Sequence, residues 1–174
     1  MSAGVLFLLL VAWAVWTLAR LRRLEMRVAR AWTALDSQLR RRAGLAEELA
    51  RNYPGALGEQ RAVGLAAAAA EARNPADGDR ELAENALGRE LRDLPADLAG
   101  VPVALQTDLA GTTTRVGLAR RFYNDAVRDT RALRRHRFPR LLRLHARRPL
   151  PRYFDIDDRL EEVAGAAGAG RPRS

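Results

Sequence analysis

The sequence predicts an all-α protein: an N-terminal transmembrane helix followed by an antiparallel helical bundle, with a shorter helix pair between two long helices. Three observations carry this. Residues 2–19 hold no charged side chain, so the chain opens on an apolar run. Beyond residue 20, apolar residues recur at spacings of three and four, the period of a helix with one buried face. Alternating apolar and polar runs of strand length are missing.

The anchor comes first. The run from Ser2 to Ala19 reaches about 27 Å as a helix, close to the hydrocarbon thickness of a bilayer, roughly 30 Å. It extends through Leu21, because Arg20 can snorkel to the headgroups. Trp13 and Trp16 sit near its end, where amphipathic rings favour the interface. A cleaved signal peptide would open with positive charge and carry a shorter apolar stretch. Here the charges follow the run, as Arg20, Arg22, Arg23, Arg27 and Arg30. The positive-inside rule then places Met1 outside and the remainder in the cytoplasm, as a single-pass protein of the cell membrane. The expected organisation is an anchor over 1–21, a cytoplasmic helical bundle over 22–158 and a Gly/Ala/Arg-rich, disordered tail over 159–174.

The first soluble helix is expected from about Arg20 to Tyr53. Its stripe is Leu21, Leu24, Val28, Ala31, Leu35, Leu39, Ala46 and Leu49, interrupted only by Arg42. No proline lies before Pro54, so the anchor can run into this helix without a break, and Pro54-Gly55 ends it. A second helix spans roughly Leu57 to Arg73, with small residues at Ala66–Ala70 that allow close approach or simply favour helix. Asp77 or Asp79 caps a third helix running to about Leu94. Pro95 to Pro102 is a loop. The fourth helix runs from about Val103 to His136 on the stripe Leu105, Leu109, Thr112, Val116, Ala119, Tyr123, Ala126, Thr130, Leu133, a heptad seam that is partly polar.

The two long helices match in length, so the economical arrangement sets them antiparallel with the short pair as a hairpin on their flank. Residue 20 then lies level with about 136, and Asp36 level with about 120, within reach of Arg120, Arg121 or Asn124. The same direction returns Arg140, Arg143, Arg147 and Arg148 to the bilayer beside Arg20, Arg22, Arg23 and Arg27. All 30 basic residues are Arg and the formal net charge is +9. Read by position, these clusters seat the bundle on anionic lipid, where each basic residue near the surface is worth about 1 kcal/mol. A merely solvated basic tail is the competing reading.

Two blocks of residues resemble the LemA family. The first is Ala31-Trp32, Leu35-Asp36, Gln38-Leu39, Arg41-Arg42, Leu45 and Leu49. The second is Leu105-Gln106, Leu109 and Arg115, leading into Ala119-Arg120-Arg121-Phe122-Tyr123-Asn124-Asp125-Ala126-Val127. Phe138-Pro139 and Tyr153-Phe154-Asp155 resemble the family's closing segments. The resemblance covers roughly residues 4–158. It implies a membrane protein with a small external N-terminus and a cytoplasmic helical bundle, and it implies no activity. The chain departs from the family pattern at Glu47, where a proline is usual, and at Thr113 and Thr114.

The candidate interaction residues are Trp32, Asp36, Gln38, Arg41, Arg42, Arg120, Arg121, Tyr123, Asn124 and Asp125. For Tyr123, a core tyrosine bonded to a facing polar residue is the favoured reading over a recognition point. For Asp36, Gln38, Arg41 and Arg42 it is interhelical pairing that fixes register. Glu47-Glu48 and Glu161-Glu162 read as solvated faces. No cofactor or metal site is expected. His136 and His145 lack ligand spacing, there is no cysteine, and neither a phosphate loop nor a serine elbow is present. An enzyme is therefore not expected. The expected function is a scaffold or adaptor that presents a helical face to another membrane or peripheral protein, a second copy included. The alternative, a nucleic-acid or anionic-ligand binder using the Arg clusters, is disfavoured for nucleic acid by sparse aromatic interleaving, Phe138 and Tyr153 alone.

Overall fold

The computed structural model describes residues 2–75, 79–95, 97–135 and 150–156. Among them the chain forms five helices and no strand: α1 (Ser2–Asn52), α2 (Pro54–Leu57), α3 (Glu59–Arg73), α4 (Arg80–Arg92) and α5 (Val103–Arg135). The protein is all-α, as the spacing of its apolar residues predicts.

The apolar run and the first soluble helix are one element, because nothing in residues 2–52 interrupts the main-chain ladder. α1 is long and apolar enough to cross a membrane. Pro54 then occupies the first position of α2, where its missing N–H is not needed. The second helix expected from roughly Leu57 to Arg73 is α3, which starts at Glu59 and ends at Arg73. Gly58 takes a left-handed φ of 83° between α2 and α3, a conformation that a side chain resists. The four-residue turn of α2 buries Leu57 before α3 begins. Of the two candidate caps for α4, Asp79 fills the role and accepts from the Leu82 N–H at 3.2 Å; Asp77 lies outside the described residues.

The chain divides into two compact units, one of Met1–Ala34 with Arg120–Tyr153 and one of Leu35–Ala119 with Phe154–Ser174. In the first, α1 and α5 run antiparallel: Arg27 pairs with Asp129 at 3.0 Å and Trp32 meets Tyr123. A level set by residues 20 and 136 puts 27 opposite 129, so the offset deduced from matched helix lengths is the offset found. The α5 seam is buried here at Tyr123, Ala126 and Thr130. Thr130 satisfies its hydroxyl locally, donating to the Ala126 carbonyl at 2.8 Å.

In the second unit, α3 packs against both α4 and α2. Its core gathers Ala43, Ala46 and Leu49 of α1, Leu65, Ala69 and Ala72 of α3, Leu87 of α4, and Leu105 and Leu109 of α5. Within the alanine run of α3, Ala69 is buried while Ala67 and Ala70 face solvent, so packing and intrinsic propensity both account for it. The 97–102 turn is pinned by Gln106, whose amide donates to the carbonyls of Val101 at 3.0 Å and Leu98 at 3.4 Å.

Candidate functional site

Arg42 interrupts the apolar stripe of α1, and the fold buries it, leaving 4% exposed. Its guanidinium donates to the Glu84 carboxylate of α4 at 2.7 Å, and Glu84 is 1% exposed. The same unit adds Arg80, which pairs with Asp36 at 2.7 Å and lies 3.9 Å from Glu84. Arg40 closes on the other oxygen of Asp36 at 3.0 Å, from the exposed side of α1. The result is a chain of alternating charge, Arg40–Asp36–Arg80–Glu84–Arg42.

Burial pushes the Glu84 carboxyl above its ordinary 4.5, and the Arg42 and Arg80 guanidiniums pull it back only in part. Burying charges costs several kcal/mol per ion, a cost that the close Arg42–Glu84 contact between α1 and α4 works against. Arg42 thus has the interhelical role expected of it. Asp36 has a different partner from the one its level suggested: Arg80, one turn before Glu84 on α4, together with Arg40, takes both carboxylate oxygens. Glu84 was missed from the sequence. Its signal is visible in retrospect, because Arg80, Glu84, Leu87 and Leu91 fall at spacings of four and three on one face of α4.

The remaining residues of the first block separate. Arg41 faces out and meets Asp108 of α5 at 3.6 Å, with both side chains half exposed. Gln38 is half-buried; its Oε1, and the hydroxyl of Thr112 on the seam, are sealed and accept nothing among the described residues. Leaving a buried polar atom unpaired costs about 1–3 kcal/mol.

Glu47 corrects an expectation. Rather than lying on a solvated face, it is gripped by Arg51 one turn on and by Arg73 of α3. The Arg73 hydrogen bond chiefly holds its carboxyl below 4.5, with the Arg51 charge adding to the effect and partial burial opposing it.

In the other unit, Tyr123 is buried, 8% exposed, with its ring 5.3 Å from that of Trp32 at an interplanar angle of 57°. Its hydroxyl donates to the main-chain carbonyl of Arg152 at 2.8 Å. The hydroxyl of this core tyrosine finds its acceptor on the main chain of the segment 150–153. Arg131 reinforces this clasp, donating to the Pro151 carbonyl at 2.9 Å and lying 4.8 Å above the Tyr153 ring. Asp125 faces solvent and pairs with Arg128 at 2.9 Å, while Asn124 and Arg120 are half-buried and Arg121 is exposed. Of the ten candidate residues, Asp36, Gln38, Arg41 and Arg42 belong to one unit and Trp32, Arg120, Arg121, Tyr123, Asn124 and Asp125 to the other.

Of the basic residues assigned to lipid, Arg20, Arg22, Arg23 and Arg27 are exposed. Arg20 lies 5.4 Å from the Trp16 ring, and the charge of Arg27 is countered by Asp129. Arg140, Arg143, Arg147 and Arg148 lie outside the described residues, as do His136, His145, Phe138-Pro139, Glu161-Glu162 and the 159–174 tail. Among the described residues no three His, Cys, Asp or Glu side chains converge as a metal site. A surface groove is lined by Leu57, Arg61, Gly64 and Glu90 among others, none of them singled out by the sequence.

No family model, no curated protein and no solved structure matches the chain.

Proposed function

We propose that the protein is a membrane-anchored, non-enzymatic helical-bundle adaptor at the inner face of the cell membrane. The supporting observation lies within α1. Val5, Leu6, Phe7, Leu8, Leu9 and Leu10 stay exposed in succession, while the same helix buries Leu35, Leu39 and Leu49 further along. Six large apolar side chains left in water forgo about 1.5–3 kcal/mol each. Hydrocarbon removes that cost, and a bundle-facing stripe does not require such residues on every side.

The N-terminus lies outside and the bundle in the cytoplasm, on the strength of the arginines that follow the apolar run. Arg20, Arg22 and Arg23 meet anionic headgroups, with Trp16 beside Arg20 at interfacial depth. The partner is another membrane or peripheral protein, or a second copy, met through a helical face. The motif blocks that resemble the LemA family support the same reading. The non-enzymatic part rests on how the candidate residues are used: Asp36, Arg42, Arg80 and Glu84 engage one another, and the Tyr123 hydroxyl is committed to a carbonyl.

Deleting residues 1–19 is the test. The truncated protein is expected in the soluble fraction with its helical circular dichroism retained. A truncated protein that stays in the membrane would overturn the single-anchor reading. Salt-dependent DNA binding by the full chain, with no preference for anionic over neutral vesicles, would favour nucleic acid instead.

A further inference from the structure

The charge network contains four polar atoms that are sealed from solvent and make no hydrogen bond among the described residues: Arg42 Nε, Arg80 Nε, Arg80 Nη2 and Glu84 Oε1. Three are donors held in the plane of a guanidinium, and the fourth is an acceptor on a carboxylate. Arg80 Nε and Glu84 Oε1 stand 3.9 Å apart. That is beyond a direct N–H···O bond, which is already lost at about 3.6 Å. It is short enough for both groups to reach one shared atom at ordinary hydrogen-bond length.

Charge decides what that atom belongs to. Asp36 and Glu84 balance Arg42 and Arg80, so the buried part of the network has no net charge with which to draw an ion. Three orphan donors need an acceptor, and one orphan carboxylate oxygen needs a donor. A small neutral molecule that does both resolves the facing Arg80 and Glu84 atoms, and a buried water characteristically makes about three such bonds.

We propose that Arg42, Arg80 and Glu84 form an internal water site. One water accepts from the Arg80 Nε–H and donates to Glu84 Oε1 across the 3.9 Å between them. The polar contact between α1 and α4 is then a wet one.

Water–protein cross-relaxation NMR on the full chain in lipid nanodiscs tests this. A cross-peak between water and the Arg80 Nε–H is expected, with the sign of a water resident for longer than nanoseconds. The signal should vanish in the Arg42→Met/Glu84→Leu double variant, whose circular dichroism reports whether the helices persist. A wild-type Arg80 Nε–H that is slow to exchange yet shows no water cross-peak would overturn the proposal. So would a cross-peak of undiminished intensity in a folded double variant. Should that variant not fold, the wild-type signal alone decides, its presence supporting the site and its absence refuting it.

Discussion

Arg42 of α1 and Glu84 of α4 are joined at 2.7 Å with both side chains withdrawn from solvent. Each sits where its helix would otherwise present an apolar residue, and each makes the other tolerable. Replacing one alone strands a buried charge. Arg42→Met and Glu84→Leu are each expected to cost about 3–5 kcal/mol in denaturant unfolding of the detergent-solubilised protein. The double variant should recover most of that loss or exceed the wild type by about 1–4 kcal/mol. A double variant less stable than either single one would show that the two residues are not coupled as a pair.

Two glutamates give opposite responses to pH. The folded-state pKa of Glu84 is raised by burial, so its contribution is complete below 4.5 and is lost as pH climbs through the raised value. The stability gap between wild type and Glu84→Gln should therefore narrow as pH rises above 4.5. The folded-state pKa of Glu47 is depressed, chiefly by Arg73, so its contribution is complete above 4.5 and is lost as pH falls through the lowered value. The gap between wild type and Glu47→Gln should close on acidification below 4.5. Unfolding curves for both variants across pH check the two signs independently.

Tyr123→Phe removes the bond to the Arg152 carbonyl and keeps the ring against Trp32. It is expected to cost about 0.5–1.5 kcal/mol, the net worth of one hydrogen bond. Tyr123→Ala, which also surrenders the ring, should cost about 3–5 kcal/mol. Equal losses for the two would assign the whole effect to the hydroxyl.

The chain has no cysteine, so single thiols report topology without background. Ser2→Cys should react with a membrane-impermeant maleimide added to intact cells. Gly55→Cys, at an exposed position of α2, should react only after the cells are opened. The reverse pattern would invert the orientation.

Reversal of Arg20, Arg22 and Arg23 to Glu should weaken the full chain's preference for vesicles containing anionic lipid over neutral ones. Each charge near such a surface contributes about 1 kcal/mol. An unchanged preference would remove these residues from the seat.

The long helices were legible because their signals repeat. The α5 seam keeps its spacing over four heptads, and every described seam residue is buried or half-buried. Matched lengths then gave the level at which Arg27 finds Asp129. The short helices offered less. α4 has 13 residues, too few turns for Glu84 to be recognised as lying on the inward face. A lone carboxylate on a short helix resembles a solvated one until its partner is known. Glu47, though on the long α1, misled because its second arginine, Arg73, is 26 positions away. The exact start of α3, just after Gly58, turns on one residue of positive φ, and the sequence does not distinguish a glycine that uses that freedom from one that does not. Tyr123 showed a further limit, because a main-chain carbonyl carries no letter in the sequence.

That last contact has a consequence for substitution. Tyr123 and Arg131 grasp residues 151 and 152 by their carbonyl oxygens, which every amino acid possesses. Identity at position 152 is thus free to drift without loosening the hold, whereas ending the chain before Pro151 deprives both anchors of their acceptors. The hold at this clasp depends on whether the polypeptide is there, and scarcely on which side chain stands at 152.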